Sequence, residues 1–134
     1  MTELNKRENI SEELSRSQRT LAEANLLFDN SYLHGAVSRL YYYLLYIVRA
    51  LLLSRGLEPK SHEGALRLFA REFVKKGIFT SSSSHVFSRL MKYREEADYN
   101  PSYSFAPEDF LSMRQEAEAF AGEVKEHLRR EGYL

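Results

Sequence analysis

The stretch that decides the fold is residues 33–54, LHGAVSRLYYYLLYIVRALLLS. Its apolar side chains cover nearly every side of a helix, which is typical of a helix at the centre of a protein. Gly56 follows as a natural end, because glycine accepts positive φ. Arg39 and Arg49 interrupt the stretch, whereas a membrane span needs about 20 mostly apolar residues with few charges. We therefore predict a buried core helix and no membrane span.

Four further stretches carry apolar residues at helical spacing. They cover about residues 10–28, 62–76, 85–98 and 107–130. Turn-forming residues separate them: Asp29–Asn30–Ser31, Gly77, the serines 81–84 and Asn100–Pro101. The pattern predicts an all-α, antiparallel up-and-down bundle of about five helices. Because 134 residues fall short of the ~150 usually allowed per domain, we expect a single domain over residues 1–134.

Composition excludes several classes of function. The chain has no cysteine, which excludes disulfides, thiolate metal sites and thiol nucleophiles. None of its four histidines has a glutamate three positions before it, so the Glu-x-x-His pairs of di-iron bundles are missing. We predict neither a metal nor a cofactor. Residues 1–13 are polar and charged, so we expect no signal peptide and a cytoplasmic protein.

The charges cancel overall but are segregated along the chain. Nineteen basic residues balance nineteen acidic ones. Residues 30–94 hold eleven Lys/Arg against three acids, and residues 95–134 hold four Lys/Arg against ten acids. The basic middle could bind an anionic partner such as RNA phosphate or a nucleotide. Alternatively, it pairs with the acidic flanks within the fold or across a dimer.

The end of the fourth predicted helix reads Arg94-Glu95-Glu96-Ala97-Asp98-Tyr99. Arg94 and Asp98 are four residues apart, so they share a helix face and can pair. Tyr99 lies ~140° round from Arg94 and approaches it only if the helix loosens before Pro101. Together the three side chains would form a phosphate-recognition cluster. Alternatively, Arg94 and Asp98 form a surface pair worth less than ~1 kcal/mol, and Tyr99 packs on the next loop.

A run of tyrosines, Tyr41-Tyr42-Tyr43 with Tyr46, lies in the core helix. Three consecutive side chains of a helix point in three directions, so only some of these rings can face the core. The run could serve the core and a dimer face. Alternatively, it could be a platform on which nucleobases stack.

Three segments of the chain resemble HEPN-domain proteins. They are Ala36-Val37-Ser38-Arg39-Leu40-Tyr41-Tyr42-Tyr43, the Gly56-x-x-Pro59-x-x-His62 turn, and Arg94-x-x-Ala97-Asp98-Tyr99. The resemblance extends over about residues 21–128. It implies an antiparallel bundle that dimerises, with an Arg-x(4–6)-His motif from each copy meeting in a cleft. In active members this motif cuts RNA without a metal.

The resemblance also implies partners. Many HEPN proteins pair with a minimal nucleotidyltransferase in toxin–antitoxin-like modules, and in some pairs the transferase adenylylates a tyrosine beside the motif. Here Arg94 matches the motif arginine, but Tyr99 stands at the histidine position. Tyrosine, with a pKa near 10, is a poor base at neutral pH, whereas histidine near 6.5 is a good one.

We therefore expect a homodimeric partner of a minimal nucleotidyltransferase that binds nucleotide or RNA phosphate in its dimer cleft. Arg94 would bind the phosphate, Asp98 would orient Arg94, and Tyr99 would hydrogen-bond the ligand or accept a modification. One rival is a metal-independent endoribonuclease, in which Arg94 acts with Tyr99 or with a histidine from elsewhere in the dimer. The other rival is a purely structural interaction module.

Overall fold

The computed structural model describes residues 2–134, and within them it contains five α-helices. They are α1 (Glu3–Asp29), α2 (Leu33–Leu53), α3 (His62–Phe69), α4 (Ser81–Tyr99) and α5 (Pro107–Arg130). A wider π-helical turn, Ala70–Val74, follows α3. The predicted all-α bundle of about five helices is confirmed.

The central helix of the bundle is α2. It packs against each of the other four helices and shares its largest interface with α1. Leu44, Ile47 and Leu51 are fully buried in it. By length and composition α2 could cross a membrane, but 78% of its most apolar window is buried inside the bundle, as in a core helix. Gly56 has the positive φ of +72° that the turn after α2 requires.

The first helix begins earlier than its apolar pattern predicts. Thr2 caps it, since its Oγ1 accepts a hydrogen bond from the Asn5 backbone N–H at 3.1 Å. Lys6 reaches the Tyr133 hydroxyl at 3.4 Å, so the C-terminal residues hold this first part of α1 in place. These contacts are polar, and for that reason apolar periodicity does not reveal them.

The prediction that serines 81–84 form a loop between helices is wrong. These serines form the first turn of α4, and Thr80 is the capping residue. Its Oγ1 accepts a hydrogen bond from the Ser83 backbone N–H at 3.0 Å. Serine is tolerated in a first turn, where its hydroxyl can bond to backbone groups. The third helix also departs from the expected residues 62–76, because its α-helical part ends at Phe69.

Part of the basic middle of the chain pairs with the acidic flanks. Three ion pairs connect different helices: Arg39 Nη1 to Glu23 Oε1 at 3.7 Å, Arg49 Nε to Glu13 Oε1 at 3.6 Å, and Arg89 to Glu116. Pairing between the basic middle and the acidic flanks within the fold therefore accounts for some of the segregated charge. It does not involve Arg94, whose ion-pair partner is Asp98 on its own helix.

Candidate functional site

The side chain of Arg94 leaves the last turns of α4 and lies against α2. Its Cζ is 5.3 Å from the centre of the Tyr41 ring, a cation–π distance. Arg94 is only 9% exposed, and its Nε is buried with no hydrogen-bond partner. Burying an N–H group without a hydrogen bond costs free energy. The guanidinium of Arg94 therefore does not use all of its donors within the protein.

Asp98 and Tyr99 both approach Arg94. Asp98 Oδ2 lies 3.6 Å from Arg94 Nη1, one helical turn away as the spacing predicts. The centre of the Tyr99 ring lies 5.9 Å from Arg94 Cζ, and the tyrosine is 75% exposed. α4 stays helical through Tyr99. The expected loosening before Pro101 is therefore unnecessary, because the long arginine side chain spans the angle between the two positions.

Tyr41 forms the floor of the site. Its ring is fully buried and stacks on Phe87, with 5.9 Å between the ring centres and 4° between the planes. Its hydroxyl is also buried and has no hydrogen-bond partner. Burial raises the pKa of Tyr41 above its ordinary value, although nearby Arg94 works in the opposite direction. Tyr41 is therefore neutral at physiological pH and presents its ring to the arginine.

His62 is a residue of this site that the sequence analysis did not place there. The centre of its ring lies 5.5 Å from that of Tyr41 and 5.7 Å from that of Tyr42. Burial lowers the pKa of His62, and the positive charges of Arg94 and Arg49 lower it further against the opposing carboxylate of Glu63. The imidazole is therefore neutral at pH 7 and can act as a base.

Local structure holds His62 in place. It is the first residue of α3, and the Ser61 hydroxyl caps that helix by accepting from the Gly64 backbone N–H at 2.9 Å. A Cβ at position 64 would lie 2.9 Å from Ser61 Oγ, so glycine permits this close approach. In the sequence, the Gly56-x-x-Pro59-x-x-His62 turn indicated that a helix starts near His62. It did not indicate which residues of other helices that start would contact.

The tyrosine run of α2 divides between core and surface. Tyr41 and Tyr43 are buried, and burial raises the pKa of Tyr43 to about 12. Tyr42 and Tyr46 are half-buried, and their ring centres are 6.3 Å apart. Two of the four rings therefore belong to the core, and the other two remain available to either a dimer face or a stacking platform.

The chemical groups of the site suit an anion better than a metal. Within residues 2–134 no group of three or more His, Asp or Glu side chains lies close enough together to hold a metal ion. The guanidinium of Arg94 lies beside the phenol of Tyr99, and the neutral imidazole of His62 meets the same Tyr41 ring as Arg94. A guanidinium matches the geometry of phosphate oxygens, and the other two groups can exchange protons with a ligand.

The chain is similar in sequence to one protein family and to several known proteins. A profile described as HEPN domain matches residues 10–127. A UPF0332 protein of Thermotoga maritima is 37% identical over 123 residues, which cover 91% of this chain and 93% of the relative. Two proteins of Methanocaldococcus jannaschii are named "Putative toxin". One is 32% identical over 92% of this chain and 91% of its own length, and the other is 28% identical over 94% and 86%.

Proposed function

The chain belongs to the HEPN domain family, and from that premise we propose a toxin-like member that binds the phosphate of a nucleotide or of RNA through Arg94. The names of the two archaeal relatives support the toxin-like part of this proposal. The protein acts as a homodimer in the cytoplasm, with a minimal nucleotidyltransferase as its partner. The phosphate binds in the cleft between the two copies.

The observation that carries the phosphate site is the state of Arg94. Its guanidinium is held against the Tyr41 ring, and its Nε has no protein partner. The distance from Arg94 Nη1 to Asp98 Oδ2 is 3.6 Å, longer than a hydrogen bond, so the carboxylate does not saturate the five N–H donors of the arginine. The buried Nε is closed to a ligand, so a phosphate would bind to the outer N–H groups of the guanidinium, through charge-assisted hydrogen bonds that are among the stronger ones.

Asp98 and Tyr99 have supporting roles in the proposal. Asp98 holds the guanidinium from the next turn of α4. Tyr99 is largely exposed beside it, so its hydroxyl can donate a hydrogen bond to the bound phosphate. The same exposure leaves that hydroxyl accessible to a nucleotidyltransferase, which makes Tyr99 the tyrosine to examine for adenylylation.

The proposal is tested by binding and mass measurements on the whole protein. ATP and a short RNA are titrated against the wild type, against Arg94→Gln and against Arg71→Gln. Arg71 is an exposed arginine of the π-helical turn and serves as the matched control. We expect Arg94→Gln to weaken binding at least tenfold and Arg71→Gln to leave it unchanged. Light scattering is expected to give twice the chain mass of 15.7 kDa.

Equal binding by Arg94→Gln and the wild type removes the site. A thermal midpoint that responds to neither ATP nor RNA favours a purely structural interaction module. The nucleotidyltransferase partner is tested by incubating both proteins with ATP and looking for an added nucleoside monophosphate by mass spectrometry. That addition is expected on the wild type and is expected to be absent from Tyr99→Phe.

A metal-independent endoribonuclease is the second candidate, and the position of His62 favours it. His62 and Arg94 contact the same Tyr41 ring, and His62 is neutral at pH 7. His62 would accept the proton of a 2′-hydroxyl while the 2′-oxygen attacks phosphorus. The P–O5′ bond then breaks, and the leaving 5′-oxygen takes a proton from Tyr99 or water. Arg94 would stabilise the charge on the phosphate.

This candidate predicts the products of an RNA digest carried out in EDTA. Wild-type protein should release 2′,3′-cyclic phosphate and 5′-hydroxyl ends, and His62→Gln should reduce the rate by a factor of about 100 or more. Failure to generate cyclic-phosphate ends under these conditions would dismiss the ribonuclease and leave the binding proposal intact.

A further inference from the structure

A small cavity with aromatic walls lies between the second half of α4, the loop of residues 100–106 and the start of α5. Its aromatic lining consists of Tyr93, Tyr103 and Phe105, and it encloses about 260 Å³. Sites for drug-sized ligands typically enclose about 300–1,000 Å³, so this one suits a small molecule. Tyr93 and Tyr103 are only half-buried, which leaves part of each ring open to a ligand. We call this space the aromatic cavity.

The three rings of the aromatic cavity form a corner instead of a stack. Tyr93 meets Phe105 edge-on, with 6.0 Å between the ring centres and 86° between the planes. Tyr103 meets Phe105 with 4.8 Å between the centres and 53° between the planes. Aromatic rings set at steep angles to one another are the arrangement with which proteins surround organic cations.

The loop of residues 100–106 is held in place around the cavity. His34 Nε2 lies within hydrogen-bonding distance of the Tyr103 carbonyl oxygen. At the other end of the loop, the Ala106 backbone N–H donates to Asp109 Oδ2 at 2.9 Å. These contacts fix the loop without any ligand, so a ligand does not have to order it on binding.

The rings of the aromatic cavity have no cation of the protein over them. Five of the nine tyrosines have an arginine or a lysine over the ring: Tyr41, Tyr42, Tyr46, Tyr99 and Tyr133. Within residues 2–134, no such side chain lies over Tyr93, Tyr103 or Phe105. The negative faces of these rings are therefore available to a cation from outside.

The charge around the aromatic cavity also favours a cation. Asp109 and Glu116 line it, and its one basic lining residue, Arg89, forms an ion pair with Glu116. Asp109 is exposed and forms no ion pair in the described part of the chain, so its charge is not compensated. Residues 95–113, which include the loop, hold five acids and no basic residue. Such a surface attracts cations and repels anions.

We propose that the aromatic cavity binds a small methylated ammonium ion of the choline type. The ammonium group lies against the rings of Tyr93 and Tyr103, with the carboxylate of Asp109 beside it. A methylated ammonium ion combines a positive charge with apolar methyl groups, and aromatic rings next to a carboxylate bind both. The cavity shares no residue with the Arg94, Asp98 and Tyr99 cluster, so this site does not depend on the proposed function.

The experiment is a calorimetric titration of the whole protein with choline chloride at constant ionic strength. We expect one saturable site per chain. The control ligand is the uncharged carbon analogue of choline, in which a tert-butyl group replaces the trimethylammonium group. The analogue has the same shape but no charge, so it should bind about tenfold more weakly or not at all.

Variants of the lining test the position of the site. Tyr93→Leu/Tyr103→Leu should weaken choline binding about five- to thirtyfold, the value of a cation–π contact, whereas Tyr93→Phe/Tyr103→Phe keeps the rings and the affinity. Asp109→Asn should weaken it about two- to fivefold while keeping an oxygen for the Ala106 N–H. Tyr32→Leu is the matched control, because Tyr32 is exposed and lies outside the cavity, and it should change nothing.

Several outcomes would overturn the proposal. Equal affinity for choline and its uncharged analogue would show a merely apolar cavity, and unchanged binding in the leucine double variant would place the ligand elsewhere. If that variant does not fold, Asp109→Asn and the analogue decide. A peptide with trimethylated lysine that binds more tightly than choline would assign the cavity to a protein partner instead of a free ion. Arg94→Gln should bind choline like the wild type, which separates this test from that of the phosphate site.

Discussion

The aromatic ring of Tyr41 makes contacts with its neighbours, whereas its hydroxyl does not. The ring stacks on Phe87 and carries the guanidinium of Arg94, while the buried hydroxyl has no partner. A buried hydroxyl without a hydrogen bond costs about 1–3 kcal/mol. Tyr41→Phe should therefore raise the free energy of unfolding by about 1 kcal/mol in urea denaturation, with Arg94-dependent binding retained.

The control for this prediction removes the ring itself. Tyr41→Ala should lower the free energy of unfolding by about 3–5 kcal/mol, as other aromatic truncations in cores do. If Tyr41→Phe destabilised the protein instead, the hydroxyl would have to make a hydrogen bond that the structure does not contain.

His127 makes stability depend on pH. It is 7% exposed, its ring meets those of Phe73 and Phe79 edge-on, and its Nε2 has no hydrogen-bond partner. Burial lowers the pKa of His127; Glu131 opposes this shift, while Arg55 and Arg130 add to it.

The sign of the effect follows from proton binding. As pH falls below about 6.5, the unfolded histidine binds a proton and the folded one resists it. Stability is therefore complete above that pH and is lost as pH falls toward the lowered pKa of the folded state. Urea denaturation at pH 7.5 and 5.5 should show this loss. The loss of stability should be smaller in His127→Phe. Part of the loss that remains should come from His62, whose pKa is also lowered. An unchanged loss would exclude His127 as a source.

At the scale of residues, local spacing predicted the approach of Arg94 and Asp98, because four positions along a helix bring two side chains to one face. It did not predict His62. That histidine precedes Arg94 by 32 positions, so no periodicity connects them, and only the packing of α3 beside α2 and α4 brings it to Tyr41.

At the scale of elements, the start of α4 depends on one capping residue. Thr80 Oγ1 accepts from the Ser83 backbone N–H, whereas Ser82 is exposed and follows two positions later. Thr80→Ala should lower the free energy of unfolding by about 1 kcal/mol. Ser82→Ala should change it by less than about 0.5 kcal/mol, as an exposed substitution in a helix. Equal effects of the two changes in urea denaturation would refute Thr80 as the cap.

The boundaries of the helices were less predictable than the helices themselves. Apolar periodicity identified each of them, and together with Pro107 as a typical first helical residue it placed α5 at its observed bounds, residues 107–130. It missed the first turns of α1 and α4, because side-chain caps and polar contacts hold these turns rather than apolar burial. The π-helical turn after α3 has no apolar signature of its own, so the sequence could not indicate it.

At the scale of the whole molecule, stability depends on how completely α2 is enclosed. Leu51 in α2 is fully buried, whereas Leu26 in α1 is 64% exposed. Leu51→Ala should lower the free energy of unfolding by about 2–5 kcal/mol, because it removes buried apolar surface and leaves a cavity. Leu26→Ala should change it by less than about 0.5 kcal/mol. Urea denaturation of the two variants tests whether α2 is the core helix, and similar losses in both would contradict it.

The sequence by itself determined that this protein is a helical bundle built around residues 33–53, because the period and density of apolar residues are local properties that any packing must satisfy. It also determined which α4 residues share a face with Arg94. Only the tertiary structure decided that Arg94 lies on Tyr41, that His62 joins them, and that Tyr42 and Tyr46 stay at the surface. These contacts join separate helices, and the relative placement of helices depends on the packing of all their side chains at once.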